Sequence, residues 1–347
     1  MTVAALATAG VGAESGGWPQ FRGPTGQGNS TATGPPVEWS ATRNVAWKQP
    51  IPGIGLSSPV LSDGQIFFTT ATADDAGAPS VQLYCLDAET GRIVWRTVVL
   101  ATGEPPPREG HERNSAANAT VVVEDGRVYA YVGHHGAACF DFAGKVLWRN
   151  PRLRFDPVPL NGGSPIIAGD LFVYVADCAT APFVTALDKR TGEVRWRVPR
   201  ILPGKLKATF GAPLLIEAAG RRQIIIVGAG AVTALDPVDG QEIWRVRYAR
   251  DASVGPRPVF AHGLLFVSAG YLRTELLAIR PDGVGDVTDT QVAWRLAKGA
   301  PLTPGLVVAG DELYGVNDGG VASCWAAKTG DVIWQQRLRG NYSAAPI

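Results

Sequence analysis

Cys85-Leu86-Asp87-Ala88-Glu89-Thr90-Gly91-Arg92-Ile93-Val94-Trp95 recurs as Ala186-Leu187-Asp188-Lys189-Arg190-Thr191-Gly192-Glu193-Val194-Arg195-Trp196. Each copy reads as a strand, a tight turn and a second strand. The Asp can cap backbone amides at the start of the turn, and the Gly takes positive φ at its end without steric cost. Asp236-Pro237-Val238-Asp239-Gly240 varies the same turn, and Thr329-Gly330 closes another. Seven tryptophans, Trp47, Trp95, Trp148, Trp196, Trp244, Trp294 and Trp334, follow one another at intervals of 48, 53, 48, 48, 50 and 40 residues. A repeat of about 40–50 residues holding several short strands is the mark of a β-propeller blade, which cannot bury its faces alone and stacks on neighbours.

The expected fold class is therefore all-β, a β-propeller of four-stranded antiparallel blades. One blade runs from Ser58-Pro59-Val60-Leu61 through a turn at Asp63-Gly64, Ile66 to Thr70, Leu83 to Leu86, and Ile93-Val94-Trp95. Five further stretches follow the same order and end on Trp148, Trp196, Trp244, Trp294 and Trp334, which makes six complete blades. The fourth-strand Trp is read as a staple, its ring docked on the adjacent blade and its indole N–H on a backbone acceptor. Asn44 to Lys48 reads as a lone fourth strand and Ser343 to Ile347 as a lone first strand. In a closed propeller such pieces complete one blade and remove its edges. The expectation is a chain cut short, with an intact ring of seven or eight blades.

Of the 347 residues, 18% are charged, below the roughly 25% usual for soluble domains. Forty-two Gly and 26 Pro supply the turns. The net charge of +1 provides no basic footprint, which argues against nucleic acid and anionic membrane as partners. Residues 1–17 carry a small apolar run, Val3 to Ala9, that fits the end of a secretory signal without its positive leader. The expected organisation is a signal remnant over 1–17, an extension over 18–43 and the propeller over 44–347. No stretch approaches the roughly 18 apolar residues of a transmembrane span. With the first cysteine at Cys85, no lipid anchor follows the cleavage site. A periplasmic or extracellular protein, exported but not a lipoprotein, is expected.

Cys85, Cys139 and Cys324 share one repeat position, where other copies have Ala186, Ala234 and Ala278, so the position calls for a small buried side chain. Equivalent sites on different blades lie beyond the ~7 Å Cα separation a disulfide allows. Cys178 falls outside this register.

The phrase Ala-x-Asp-x-x-Thr-Gly-x-x-x-Trp resembles the tryptophan-docking motif of pyrroloquinoline quinone (PQQ) repeat propellers. Trp18-Pro19-Gln20-Phe21-Arg22-Gly23-Pro24, the Val37-Glu38-Trp39-Ser40 segment and Gly285-Asp286-Val287-Thr288-Asp289-Thr290 are similar to exported PQQ-like propellers of planctomycetes and their relatives. The resemblance implies a fold rather than a reaction. Its relatives divide into quinoprotein alcohol dehydrogenases, which bind PQQ and calcium, and non-enzymatic propellers such as the outer-membrane assembly factor BamB. The dehydrogenases place a vicinal Cys-Cys disulfide against the quinone ring, whereas no two cysteines are adjacent here. No catalytic residue, metal site or cofactor is therefore expected, with PQQ and calcium as the alternative.

The expected function is a non-enzymatic envelope scaffold that binds a protein or small polymer through its loops and channel. The alternatives are a PQQ-dependent dehydrogenase, a BamB-like assembly factor and a carbohydrate-binding module. Two loops are candidates for contact. His111-Glu112-Arg113-Asn114 opens a blade after Pro105-Pro106-Pro107. His134-His135 follows a strand into a Gly-bounded turn, where neighbouring strand residues would face opposite ways and leave the pair solvated. Asp286 and Asp289 fall short of the six or more oxygens calcium prefers and read as turn caps.

Overall fold

The computed structural model describes residues 2–6, 17–103, 115–151, 162–178, 181–201, 210–248, 256–270 and 274–347, the first stretch as backbone only. Among these residues, six sheets each contain four consecutive antiparallel strands. The strands of the first are Val60–Ser62, Gln65–Ala73, Pro79–Asp87 and Ile93–Ala101. The fourth strands of the remaining sheets are Val146–Asn150, Val194–Pro199, Glu242–Arg247, Val292–Leu296 and Val332–Arg337.

Turn chemistry sets the register. The first two strands of every sheet are joined by a two-residue loop, as the pairs Ser62↔Gln65 and Ala168↔Leu171 illustrate. Asp63-Gly64, Asp125-Gly126, Ala219-Gly220 and His262-Gly263 have φ between 48° and 71° at both positions. This is the type I′ geometry, whose twist matches that of the flanking strands. At the other hairpin, Asp87 Oδ1 accepts the Thr90 N–H at 2.7 Å and the Thr90 hydroxyl at 2.6 Å, while Gly91 N–H reaches Asp87 O at 2.9 Å.

Directly after that turn each fourth strand carries a bulge. Trp95 faces Cys85, but the next pair is Leu86↔Ile93, so Val94 has no opposite residue. Trp148↔Cys139, Trp196↔Ala186, Trp244↔Ala234, Trp294↔Ala278 and Trp334↔Cys324 repeat the arrangement. The small residue of the repeat thus sits across from the indole, where a larger side chain would displace the ring. All four cysteines are buried and unbridged.

By contact density the chain divides into two units. The first comprises Met1–Pro24, Ser30–Arg154 and Arg190–Gly192. It holds two of the six sheets, whose facing side chains form one core around Phe67, Leu83, Val99, Val121, Val128 and Phe140. It also holds a strand pair, Thr2–Leu6 on Val45–Pro50, in which Ala5 faces Trp47 and Leu6 faces Val45. The strand read as lone therefore has a partner, drawn from the segment read as a signal remnant, in the same skipped register as the other fourth strands. The second unit, Thr25–Asn29, Phe155–Lys189 and Glu193–Ile347, holds the other four sheets. Apolar clusters join its successive sheets, around Val173 and Ile226, Ile225 and Leu277, and Phe266 and Leu313.

One local expectation is corrected and another is extended. Ser343 to Ile347 is not a strand, since among the described residues no strand pairs with it. The insertion after Ile279 caps its own turn through Asp286 Oδ1 and the Thr288 hydroxyl at 2.6 Å, and it does more than that. Gly285–Asp286 pairs parallel with Trp244 and Arg245, adding a fifth strand to the preceding sheet and covering its edge.

Candidate functional site

The repeat residues converge where one sheet meets the next. Trp47 donates its indole N–H to Ala88 O at 3.0 Å, Trp95 to Phe142 O at 2.9 Å, Trp196 to Pro237 O at 3.0 Å and Trp294 to Ala327 O at 3.0 Å. In each case the acceptor is the second residue of the following sheet's turn. Each ring also lies on that turn's last residue, a left-handed glycine: Gly91, Gly144, Gly240 and Gly330. Trp148 lies on Gly192 in the same way. A Cβ at Gly240 would stand 2.7 Å from the Trp196 ring and one at Gly192 2.5 Å from Trp148, so the indole occupies the space a side chain would need. The turn residues thus serve the interface: Asp236 Oδ1 accepts Val238 N–H at 2.8 Å, and Thr329 Oγ1 donates to Asp331 at 2.7 Å. Asp188 opens the third sheet's turn and bonds Arg195 at 3.4 Å, with Thr191 exposed beside Gly192.

Trp244 departs from the expected backbone acceptor. Its N–H goes to Gln223 Oε1 in its own sheet at 2.7 Å, and Gln223 Nε2 in turn holds Pro281 O at 2.8 Å. The inserted strand explains the change. Val287 stands where a Cβ on Gly283 would be, so the turn offers no seat for a neighbour's indole, and the covered Trp244 is fully buried.

His111, Glu112, Arg113 and Asn114 lie outside the described residues. His134 and His135 lie in the Gly-bounded turn expected after the strand, a single 3₁₀ turn, Gly133–His135. The tight turn brings the two rings together, 3.8 Å between centroids, and His135 is buried. The turn is thus as expected, but the rings adjoin and one is buried, where opposed and solvated side chains were expected. Among the described residues no three His, Cys, Asp or Glu side chains gather as a metal site.

Sequence reasoning missed two arrangements. Asp177 and Arg200 form a buried ion pair at the ends of the second and fourth strands of the third sheet, with side chains 1% and 5% exposed. Burial pushes the Asp177 carboxyl up to about 6 despite the guanidinium beside it. No periodic signal marks this pair, which is brought together only by strand register. The second is an open depression of ≈ 460 Å³ in the first unit, lined by Val37, Glu38, Trp39, Ser40 and Arg43. Ser40 Oγ accepts the Thr42 and Arg43 N–H groups, and Arg43 meets Glu38 at 2.6 Å, so the loop holds Trp39 outward at 62% exposed. The available signal was a tryptophan outside the repeat spacing.

A protein-family model described as "Outer membrane protein assembly factor BamB" matches residues 29–104, 83–282 and 282–347. The chain belongs to this family. Among solved structures, this BamB-family chain is similar to BamB from Moraxella catarrhalis, with a TM-score of 0.59 and 14% identity over 87% of this chain and 82% of that one. It is equally similar to a europium-containing methanol dehydrogenase, with a TM-score of 0.61 and 14% identity over 88% and 75%. No curated protein matches the chain. The fold is a β-propeller of four-stranded antiparallel blades, shared by both neighbours, and at this identity the likeness carries the fold alone.

No two cysteines are adjacent in the sequence, and Cys85, Cys139 and Cys324 lie on strands within their sheets. Burial pushes the Cys85 and Cys139 thiols up to about 12, which leaves them protonated and unreactive at neutral pH. Among the described residues, no helix is long and apolar enough to cross a membrane.

Proposed function

We propose that this chain is a non-enzymatic, exported propeller of the cell envelope that binds another protein or a small polymer. The observation that carries the reading is the use made of the repeat's polar groups. Indole N–H groups and turn carbonyls are spent on one another between sheets, and the Asp side chains on their own turns, so the residues most regularly placed in the chain act as structure. What is left for a partner is surface. The Val37 to Arg43 depression offers an aromatic face beside a carboxylate and a guanidinium, a combination suited to polypeptide or glycan. A PQQ-dependent dehydrogenase is the rival reading, supported by the shared fold with methanol dehydrogenase.

Reconstitution with PQQ and calcium separates the two. On the scaffold reading the protein acquires no quinone absorbance and reduces no dye with alcohol. Alcohol-dependent dye reduction would overturn it. Affinity capture from envelope extract, compared with a Trp39→Ala variant, should then return one defined protein that the variant loses. Retention of sugar alone would convert the assignment to a carbohydrate-binding module.

A further inference from the structure

The first strand of each sheet has one edge outside the ladder of its own sheet. In every sheet the residue just before the pair that closes the two-residue loop turns its N–H and C=O to that edge: Leu61, Val123, Ile167, Glu217, Phe260 and Val308. In the first unit Trp18 exchanges both backbone bonds with Leu61, at 2.7 and 2.9 Å, and Pro19 O accepts Val123 N–H at 2.8 Å. Two consecutive residues thus serve the edges of two neighbouring sheets. In the second unit Gln27 Oε1 accepts Phe260 N–H, and Asn29 Nδ2 donates to Val308 O at 2.9 Å, again on two neighbouring sheets. The third neighbouring pair of first strands, Ile166–Ala168 and Leu214–Ala218, shares one core around Ile166 and Ile226. Among the described residues nothing bonds to the edge groups of Ile167 or Glu217, and Glu217 is exposed. An open strand edge is a template for an extended chain.

We propose, resting on the reading that this chain binds another protein, that the paired edges at Ile167 and Glu217 are where an extended segment of that protein docks. Successive backbone carbonyls of the segment accept the two N–H groups. The occupant's chemistry is read from the equivalent pair in the first unit, where Trp18 and Pro19 serve Leu61 and Val123 through main chain alone. Recognition of this kind takes its affinity from backbone groups and tolerates varied side chains. Residues 18–29 fill the same position on four sheets from within the chain, which leaves this one pair for a polypeptide from outside it. Ile167 and Glu217 belong to the second unit, whereas Trp39 belongs to the first, so the two surfaces can be tested separately.

Amide hydrogen exchange and fluorescence anisotropy test this, with a labelled, reduced and carboxymethylated polypeptide that cannot fold as the probe. In the chain alone, the Leu61, Val123 and Phe260 amides should exchange about tenfold more slowly than those of Ile167 and Glu217. Saturating probe should slow Ile167 and Glu217 and leave the other three unchanged. Glu217→Pro removes an edge donor where proline is tolerated, because that N–H lies outside the ladder, and should weaken probe binding about tenfold. Glu217→Ala keeps the N–H and should bind as the parent does; slow exchange at Leu61 reports that each variant is folded. Equal loss in both variants would assign binding to the carboxylate and overturn the proposal. Unchanged exchange at Ile167 and Glu217 with probe bound would overturn it too, and so would a probe that does not bind. If Trp39→Ala rather than Glu217→Pro abolishes binding, the protein-binding reading stands and the edge site fails.

Discussion

The fourth strands Val194–Pro199 and Val332–Arg337 carry the same phrase, a Thr-Gly turn, a bulge and a tryptophan opposite a small residue, yet one indole is buried and the other is not. Trp196 has a turn seated on it, and among the described residues none is seated on Trp334. The motif therefore sets strand register within its own sheet, and burial is conferred by the sheet that follows. This agrees with the expectation for repeat proteins, where stability is a sum of unit and nearest-neighbour terms.

The largest expected effect measures that neighbour term directly. Trp196→Ala should lower stability by about 3–5 kcal/mol, as for other buried large-to-small changes. Trp334→Ala should lower it by about 1 kcal/mol or less, as for exposed sites. Urea denaturation of the two variants checks this, and equal losses would break the comparison.

Within the same third sheet, Asp177→Asn replaces the carboxyl facing Arg200 with a neutral isostere, and its cost relative to the parent should fall as pH rises through about 6. The sign with pH follows from the raised Asp177 pKa. The folded state holds the proton up to about pH 6 while the unfolded chain releases it near the ordinary carboxylate value. Stability from this group is complete below that ordinary value and is lost as pH rises through about 6. Thermal melts of the parent across this window should slope downward, and those of the Asn variant should lose that slope.

Glycines sharpen the comparison at the turn. Gly240 and Gly310 both have positive φ, but only Gly240 has an indole in the way. Gly240→Ala should cost about 2–4 kcal/mol, combining left-handed strain with displacement of Trp196, and Gly310→Ala about 1 kcal/mol. The smallest effect is electrostatic. Thr90, through its hydroxyl and N–H, holds the Asp87 carboxyl below its ordinary value. An NMR titration of Thr90→Val should show the Asp87 midpoint moving upward.

How much was legible follows the range of the interaction. Asp87, Thr90, Gly91 and Trp95 act within a dozen residues, so their pattern exposed the blade, its turns and the small residue opposite the ring. The partner of Val45–Pro50 could not be read, because Thr2–Leu6 has no turn linking it to that strand. Nor could the added strand at Gly285–Asp286, which pairs sideways onto a different sheet. The candidate site was least legible. Asp177 and Arg200 are 23 residues apart and meet only through strand register, and Trp39 was passed over because it falls outside the repeat.

The amino-acid sequence alone determined the repeat unit, its hairpin turns and the place of each indole, because these depend on local φ preferences and on a small residue facing a large one. Tertiary structure alone decided which indoles are covered and by what: a turn carbonyl for Trp196, a glutamine and an inserted strand for Trp244, and nothing among the described residues for Trp334. The physical reason is that burial and hydrogen bonding at a sheet face are properties of two sheets together, and no single repeat encodes its neighbour.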